Sequence, residues 1–254
     1  MKDVKIQLEP VQETLLLPLW ARALEAEQPK PIIVDPHAVE FIKRIDYDFT
    51  QIKRGFEITR LVWPIRAATF DTALRTFIAA HPRATIVNLG AGLDTTFFRV
   101  DNGQIQWFDV DLPEVIALRQ QFVSENDRLH HIAESAWGKW TEQIPRDQPV
   151  MIIAAGLLFY YPQAEVEQLL AQIAITFPNG TMLLDYIAPI FCGPTKKYRW
   201  GIWDAMELSV QDVRIDVQQQ WRYYNQFPSR WPWPYQVLRP LVLRLNGMAQ
   251  IAFG

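Results

Sequence analysis

The chain has a single cysteine, Cys192, which rules out an intrachain disulfide and any cysteine-rich metal centre, and fits a reducing cytoplasm. An excess of basic residues is also missing. A formal charge of −3 and an isoelectric point near 5.8 leave no broad positive field to hold a phosphate backbone, so nucleic acid is not an expected partner. No segment approaches the ~20 consecutive apolar residues of a membrane span. The opening MKDVKIQLEPVQE carries too many charges for a signal-peptide core, so neither a membrane nor export is expected. The four histidines, His37, His81, His130 and His131, show no catalytic spacing, and no metal is expected. Internal repeats and low-complexity linkers are absent.

What is present suits one large α/β body. A chain of 254 residues that is 49% hydrophobic can bury roughly 70–75% of its unfolded surface around one core, so residues 1–254 read as a single domain. Its parts are an N-terminal helical portion (1–63), a central core (64–187) and a lid and C-terminal portion (188–254). Leu15, Leu19 and Ala23 open a helical arm that the prolines of EAEQPKPIIVDP interrupt, and AVEFIKRI can form a second helix. PIRAATFDTALRTFIAA places Phe70, Leu74, Phe77 and Ile78 at helical spacing after Pro64. Strands then alternate with helices, as crossover connections in a parallel sheet require. ATIVNL (84–89), QIQWFDV (104–110), LHHIAES (129–135), PVMIIAAG (149–156) and TMLLDYI (181–187) read as strands, and GMAQIAFG holds a last one. PQAEVEQLLAQIAITF sets Val166, Leu169, Leu170 and Ile173 on one helical face. The segment 188–208 is placed to cover a site. Trp221, Trp231 and Trp233, near the C-terminus, can line a substrate pocket or an interface, or serve as ordinary aromatic packing.

In open parallel sheets ligands bind beyond the carboxyl ends of the strands, and the first such connection here is Asn88-Leu89-Gly90-Ala91-Gly92-Leu93-Asp94-Thr95. Gly90 and Gly92 allow close backbone approach, whereas Thr95 stands where a dinucleotide fingerprint wants its third glycine. Two glycines alone also suit a tight turn. A second signal sharpens the first: WFDVD ends the next strand with Asp111, 21 residues beyond Gly90. A carboxylate there can accept hydrogen bonds from both hydroxyls of a ribose. Asp109 shares its facing by period-two alternation, but Asp111 lies nearer the loop.

IVNLGAGLDTTFFR, WFDVDLPEVIALR and IIAAGLLFYYP resemble the leucine carboxyl methyltransferase family, in particular its bacterial branch of tetracenomycin-type polyketide O-methyltransferases. WARALE, DPHA and KKYRWGIWDAMELSVQDVRIDVQQQW are similar to that branch too. The resemblance implies a Rossmann-like fold dependent on S-adenosylmethionine, with a mostly parallel sheet, helices on both faces, an N-terminal helical extension and a lid insertion. It implies that Gly90, Gly92 and Asp94 surround the methionine part of the cofactor, with Asp111 and the adjoining Leu112 at the ribose. Arg66 and Arg22 would hold the cofactor's carboxylate, and Glu134 would lie near the adenine amino group. One departure stands out, because relatives commonly carry a glutamate where this chain has Ala155.

Methyl transfer from a sulfonium chiefly requires an oxygen held in line and water kept out. A carboxylate acceptor arrives ionised at neutral pH, whereas a phenol with a pKa of about 10 would want a general base or an electropositive site, so a carboxylate or acidic hydroxyl is the expected acceptor. Tyr160 and Tyr161, past the fourth strand, stand where the small-molecule acceptor should lie, and Tyr160 is the better candidate for orienting it. A nicotinamide-dependent oxidoreductase and a catalytically degenerate cofactor-binding protein stay open at this point.

Overall fold

The computed structural model describes residues 4–5, 15–49, 60–238 and 244–254. The N-terminal portion comprises β1 (Val4–Lys5), α1 (Leu16–Ala26), α2 (Pro36–Arg44) and β2 (Ile45–Asp46), with β1 and β2 paired in parallel. Asp35 caps α2, its carboxylate accepting the Ala38 N–H at 3.0 Å, and Pro36 fits the first turn because it lacks the N–H that would go unbonded there. The long helix α3 (Val62–Ala80) carries both Arg66 and Asp71.

There follow β3 (Thr85–Leu89), α4 (Thr96–Val100), β4 (Gln106–Asp111), α5 (Pro113–Arg119) and β5 (Leu129–Ala133). The chain continues through β6 (Val150–Ala154), α6 (Gln163–Thr176), β7 (Thr181–Ile187), β8 (Ile215–Arg222), α7 (Trp233–Val237) and β9 (Asn246–Phe253). Seven strands form one sheet in the order β5-β4-β3-β6-β7-β9-β8, with β9 antiparallel to both neighbours and the rest parallel. All five residues of β3 are buried, and their alternation feeds two cores. Ile86 joins Leu19, Ile65 and Leu74 of the helical side, whereas Val87 and Leu89 join Leu169, Leu170 and Ile173 of α6 on the other. Burying Val166, Leu169, Leu170 and Ile173 of α6 contributes on the order of 6–12 kcal/mol as an upper bound.

The connections run outward from β3 to β4 and β5, then return to the opposite side of β3 for β6 and β7. That reversal makes the carboxyl ends of β3 and β6 a topological switch point, the place where open parallel sheets bind ligands. The sequence reading missed the short pair β1 and β2, where Ile45 was expected to end a helix, and in the seven-stranded sheet it missed β8. It is an edge strand of mostly half-buried and exposed residues, IDVQQQWR, and a register shift between Val217 and Gln219 breaks its alternation. The portion 188–254 therefore supplies two strands of the sheet as well as cover. Within it Trp200, Ile202 and Ala205 are buried in the α6-side core, and the Arg199 N–H donates to the Phe159 carbonyl at 2.7 Å. Of the three C-terminal tryptophans, Trp231 is buried beside Tyr224 and Tyr235 at a cavity of about 260 Å³, Trp221 is half-buried, and Trp233 is exposed. Among the described residues no helix is long and apolar enough to cross a membrane.

Candidate active site

The turn after β3 and the acid at the tip of β4 meet directly. The Gly92 N–H donates to Asp111 Oδ2 at 2.8 Å, and the Leu112 N–H donates to Oδ1 at 2.8 Å. Gly92 has φ +49°, a left-handed backbone that disfavours side chains, and a Cβ built there would come 3.0 Å from Leu15 Cδ2. On the adjoining strand the Glu134 N–H donates to the Asp111 carbonyl at 2.9 Å, which brings Glu134 to the same crevice edge. Burial raises the Asp111 pKa above the ordinary aspartate value, outweighing the two N–H donors. Leu112 beside it is 39% exposed, an apolar surface at the rim.

Beneath this turn lies a buried polar frame that sequence reasoning did not find. Asp109 is fully buried. Its Oδ2 takes Arg119 Nε at 2.8 Å and Nη2 at 2.7 Å, and its Oδ1 takes Trp107 Nε1 at 2.9 Å and Asn88 Nδ2 at 3.1 Å. Arg119 Nη1 in turn donates to the carbonyls of Gly92, at 3.1 Å, and Asp94, at 2.7 Å. Asp109 thus fixes the arginine that fixes the turn, while Asp111 keeps its remaining lone pairs for the crevice.

A second frame ties the helical portion to the same loop. Asp35 Oδ2 accepts Arg22 Nε at 3.0 Å, Arg99 Nη1 at 2.9 Å and the Thr95 hydroxyl at 2.6 Å. Thr95, the position of the absent third glycine, is fully buried and bonded to α2's cap. Arg99 also grips Asp71 of α3 through Nε at 2.7 Å and Nη2 at 3.0 Å. Arg22 gives Nη2 to the Leu93 carbonyl at 3.3 Å and lies 3.8 Å from Asp94 Oδ1. Burial opposes ionisation of Asp94, but Arg22, Arg99, the Thr96 side chain and Arg119 together lower its pKa to about 2.

Arg66 reaches the crevice from the β6 and β7 side. Its Nη1 donates to Asp185 Oδ2 at 2.8 Å; Tyr223 Oη donates to that oxygen at 3.2 Å, and the Gly156 N–H to Oδ1 at 2.6 Å. Asp185, from β7, thus supplies a carboxylate close to where Ala155 lacks one. The two tyrosines after β6 diverge. Tyr160 faces the covering segment, its ring 5.6 Å from that of Tyr198. Tyr161 packs at a tilt against Trp137, ring centroids 3.9 Å apart, next to the Glu134 turn, and its pKa is raised by burial and then by Asp111.

Of the residues singled out in the sequence, Gly92, Asp111, Leu112 and Glu134 are thus linked by neighbouring bonds, and Asp94 and Arg22 flank the same loop. Gly90 anchors its start through a 2.9 Å bond to the Val110 carbonyl. Asp35, Arg99, Arg119, Asp185 and Tyr223 were missed, and Asp109, weighed only as the alternative to Asp111, pairs with Arg119 instead. Only Asp35 carried a local signal, an Asp-Pro pair before a helical run.

Residues 16–174 match the model of the leucine carboxyl methyltransferase family. The chain is 34% identical over 228 residues to the tetracenomycin polyketide synthesis O-methyltransferase TcmP of Streptomyces glaucescens, covering 85% of this chain and 84% of that one. It is 33% identical over 195 residues to the S-adenosyl-L-methionine-dependent methyltransferase dpfgK of Gibberella zeae, covering 69% and 64%. Among solved structures, a candidate methyltransferase from Thermobifida fusca superposes with a TM-score of 0.58 at 14% identity, covering 98% of both chains. Magnesium protoporphyrin IX methyltransferase from Synechocystis, solved with bound S-adenosylmethionine, gives 0.51 at 10% identity over 94% and 97%. These two likenesses concern the fold.

Proposed function

We propose, from the premise that this chain belongs to the leucine carboxyl methyltransferase family and is an S-adenosylmethionine-dependent methyltransferase, that its acceptor is a carboxylate or acidic hydroxyl of a small molecule. The observation that carries the site assignment is the 2.8 Å bond from the Gly92 N–H to Asp111, which joins the glycine turn and the acid of the next strand into one nucleoside-sized edge. The residues present fit the cofactor. A side chain at position 92 would crowd the turn, Asp111 supplies acceptors for two hydroxyls, and Arg66 supplies a guanidinium for a carboxylate.

When bound, S-adenosylmethionine supplies a methyl group on a sulfonium, open to in-line displacement. Asp111 accepts the ribose hydroxyls, with Leu112 against the adjoining ring, and Glu134 accepts from the adenine amino group. Arg66 and Arg22 hold the methionine carboxylate beside Asp94. Tyr160 orients the acceptor oxygen beneath the segment 188–208, and Tyr161 closes the crevice towards Trp137. An acceptor that arrives ionised needs no general base.

Radiolabelled methyl transfer to a panel of carboxylic acids and phenols tests this reading. Label should appear in base-labile methyl esters or in aryl ethers of acidic phenols; label on amines alone would overturn it. Retained cofactor binding with no transfer to any acceptor would instead favour a degenerate binding protein. A pH dependence is also expected. Asp111 accepts ribose hydrogens only as the carboxylate, and its raised pKa brings protonation on earlier as pH falls. Affinity for S-adenosylhomocysteine, measured calorimetrically, should fall as pH is lowered from neutrality into the carboxylate range and should fall less in Asp111→Asn. Asp94 stays ionised throughout that window, since its pKa is about 2.

A further inference from the structure

We infer that Asp185, assisted by Tyr223, is the positioning residue for Arg66, holding its guanidinium towards the methionine carboxylate of the cofactor. The inference rests on the Arg66 assignment above and extends it to two residues on other elements. Arginine is a long side chain with many rotamers, and a bidentate grip on a carboxylate needs its plane fixed in advance. Here it is fixed from behind. Asp185 Oδ2 accepts from Arg66 Nη1 at 2.8 Å, Tyr223 Oη donates to the same oxygen at 3.2 Å, and the Gly156 N–H donates to Oδ1 at 2.6 Å. All three side chains are buried, Arg66 retaining 9% exposure.

The space beside the guanidinium is kept open by glycine. Gly156 has φ +80°, and a Cβ there would come 2.7 Å from Arg66 Nη1 and 3.3 Å from Nη2. Arg66 also lies within Coulombic range of Asp94 in the glycine turn, so the guanidinium stands between the β6 and β7 ends and the loop after β3. A ligand end that carries both an ammonium and a carboxylate finds opposite charges there. With Oδ1 and Oδ2 bonded to these three donors, Asp185 is suited to steering the arginine and poorly suited to accepting a proton from the methyl acceptor. Tyr223 follows β8 directly, so the C-terminal portion takes part in cofactor recognition through this bond.

The test compares two ligands by calorimetry on the full chain: S-adenosylhomocysteine, and 5′-methylthioadenosine, which lacks the amino-acid end. Asp185→Asn should weaken the first about tenfold, the scale of a lost charge-assisted bond, and move the second less than about twofold. Tyr223→Phe, which keeps the ring in place, should cut the preference severalfold and serves if the asparagine variant does not fold. A purely structural role would weaken both ligands alike and overturn the inference, as would an unchanged preference in both variants. Arg66→Ala separates the levels. If it abolishes the preference while Asp185→Asn and Tyr223→Phe preserve it, the arginine assignment stands and the positioning role falls; if it leaves the preference intact, both fall.

Discussion

Arg119→Leu should lower the unfolding free energy by about 3–5 kcal/mol, more than any other single change considered, although Arg119 is not assigned to the cofactor or acceptor. The cause is the carboxylate left behind. Asp109 is fully buried, and its Oδ2 is held by two nitrogens of Arg119 at 2.8 and 2.7 Å. Removing the cation strands that charge in the interior, where an unpaired ion costs far more than the pair contributes. The Gly92 and Asp94 carbonyls also lose their donor, so cofactor affinity should fall with stability. Asp109→Asn in the same background should recover part of the loss, because it removes the stranded charge. The deficit should depend on pH in a definite sense. His131 lies with Nε2 3.7 Å from Asp109 Oδ2, and its pKa is lowered by burial and then by Arg119. Without Arg119 one of the causes that lower it is gone while the attraction of Asp109 stays, so the folded-state pKa should rise. A rise in the folded-state pKa of a histidine adds stability below its unfolded pKa, ordinarily about 6.5, and that gain is lost as pH climbs through the folded value. Denaturant titrations at about pH 6 and about pH 8 should therefore show the larger loss at the higher pH. Equal stability of variant and parent at both values would mean that the Asp109 pair does not organise the turn.

Asp111→Ala should weaken S-adenosylhomocysteine binding by about 1–3 kcal/mol, roughly 5- to 150-fold, with only a small change in thermal midpoint. Asp111 is half-buried at the crevice edge and its two protein partners are backbone N–H groups, so the fold does not hang on it as it does on Asp109. The ligand does, because two ribose hydroxyls would lose their shared acceptor. The contrast between the two aspartates is the informative part: the Asp109 frame should show mainly in stability, Asp111 mainly in affinity. Unchanged affinity in Asp111→Ala would show that the ribose acid lies elsewhere.

These two aspartates also mark how far the sequence could be read. Asp111 was legible because its position follows from local rules: a buried strand, a glycine turn, then an acid at the tip of the next strand. Asp109 shares its facing, and nothing local says that an arginine ten residues on will neutralise it. TMLLDYI was legible as a strand and matches Thr181–Ile187, yet Asp185 within it gained meaning only when β7 lay beside β6 and brought it to Gly156 and Arg66. Thr95 read as a defect in a dinucleotide motif, and the structure shows its hydroxyl on Asp35, 60 residues away in the chain. β8 escaped because an edge strand with a bulge needs neither a continuous apolar run nor strict alternation. Periodicity reports burial, turn residues report backbone conformation, and charge pairing across elements has no local signature.

A crystal structure of the chain with S-adenosylhomocysteine would test the central claim most directly. Both ribose hydroxyls should lie within hydrogen-bonding distance of the Asp111 carboxylate, with the amino-acid end over Gly92 and its carboxylate against Arg66. A ligand seated away from the Gly90–Asp94 turn, or with its ribose out of reach of Asp111, would contradict it.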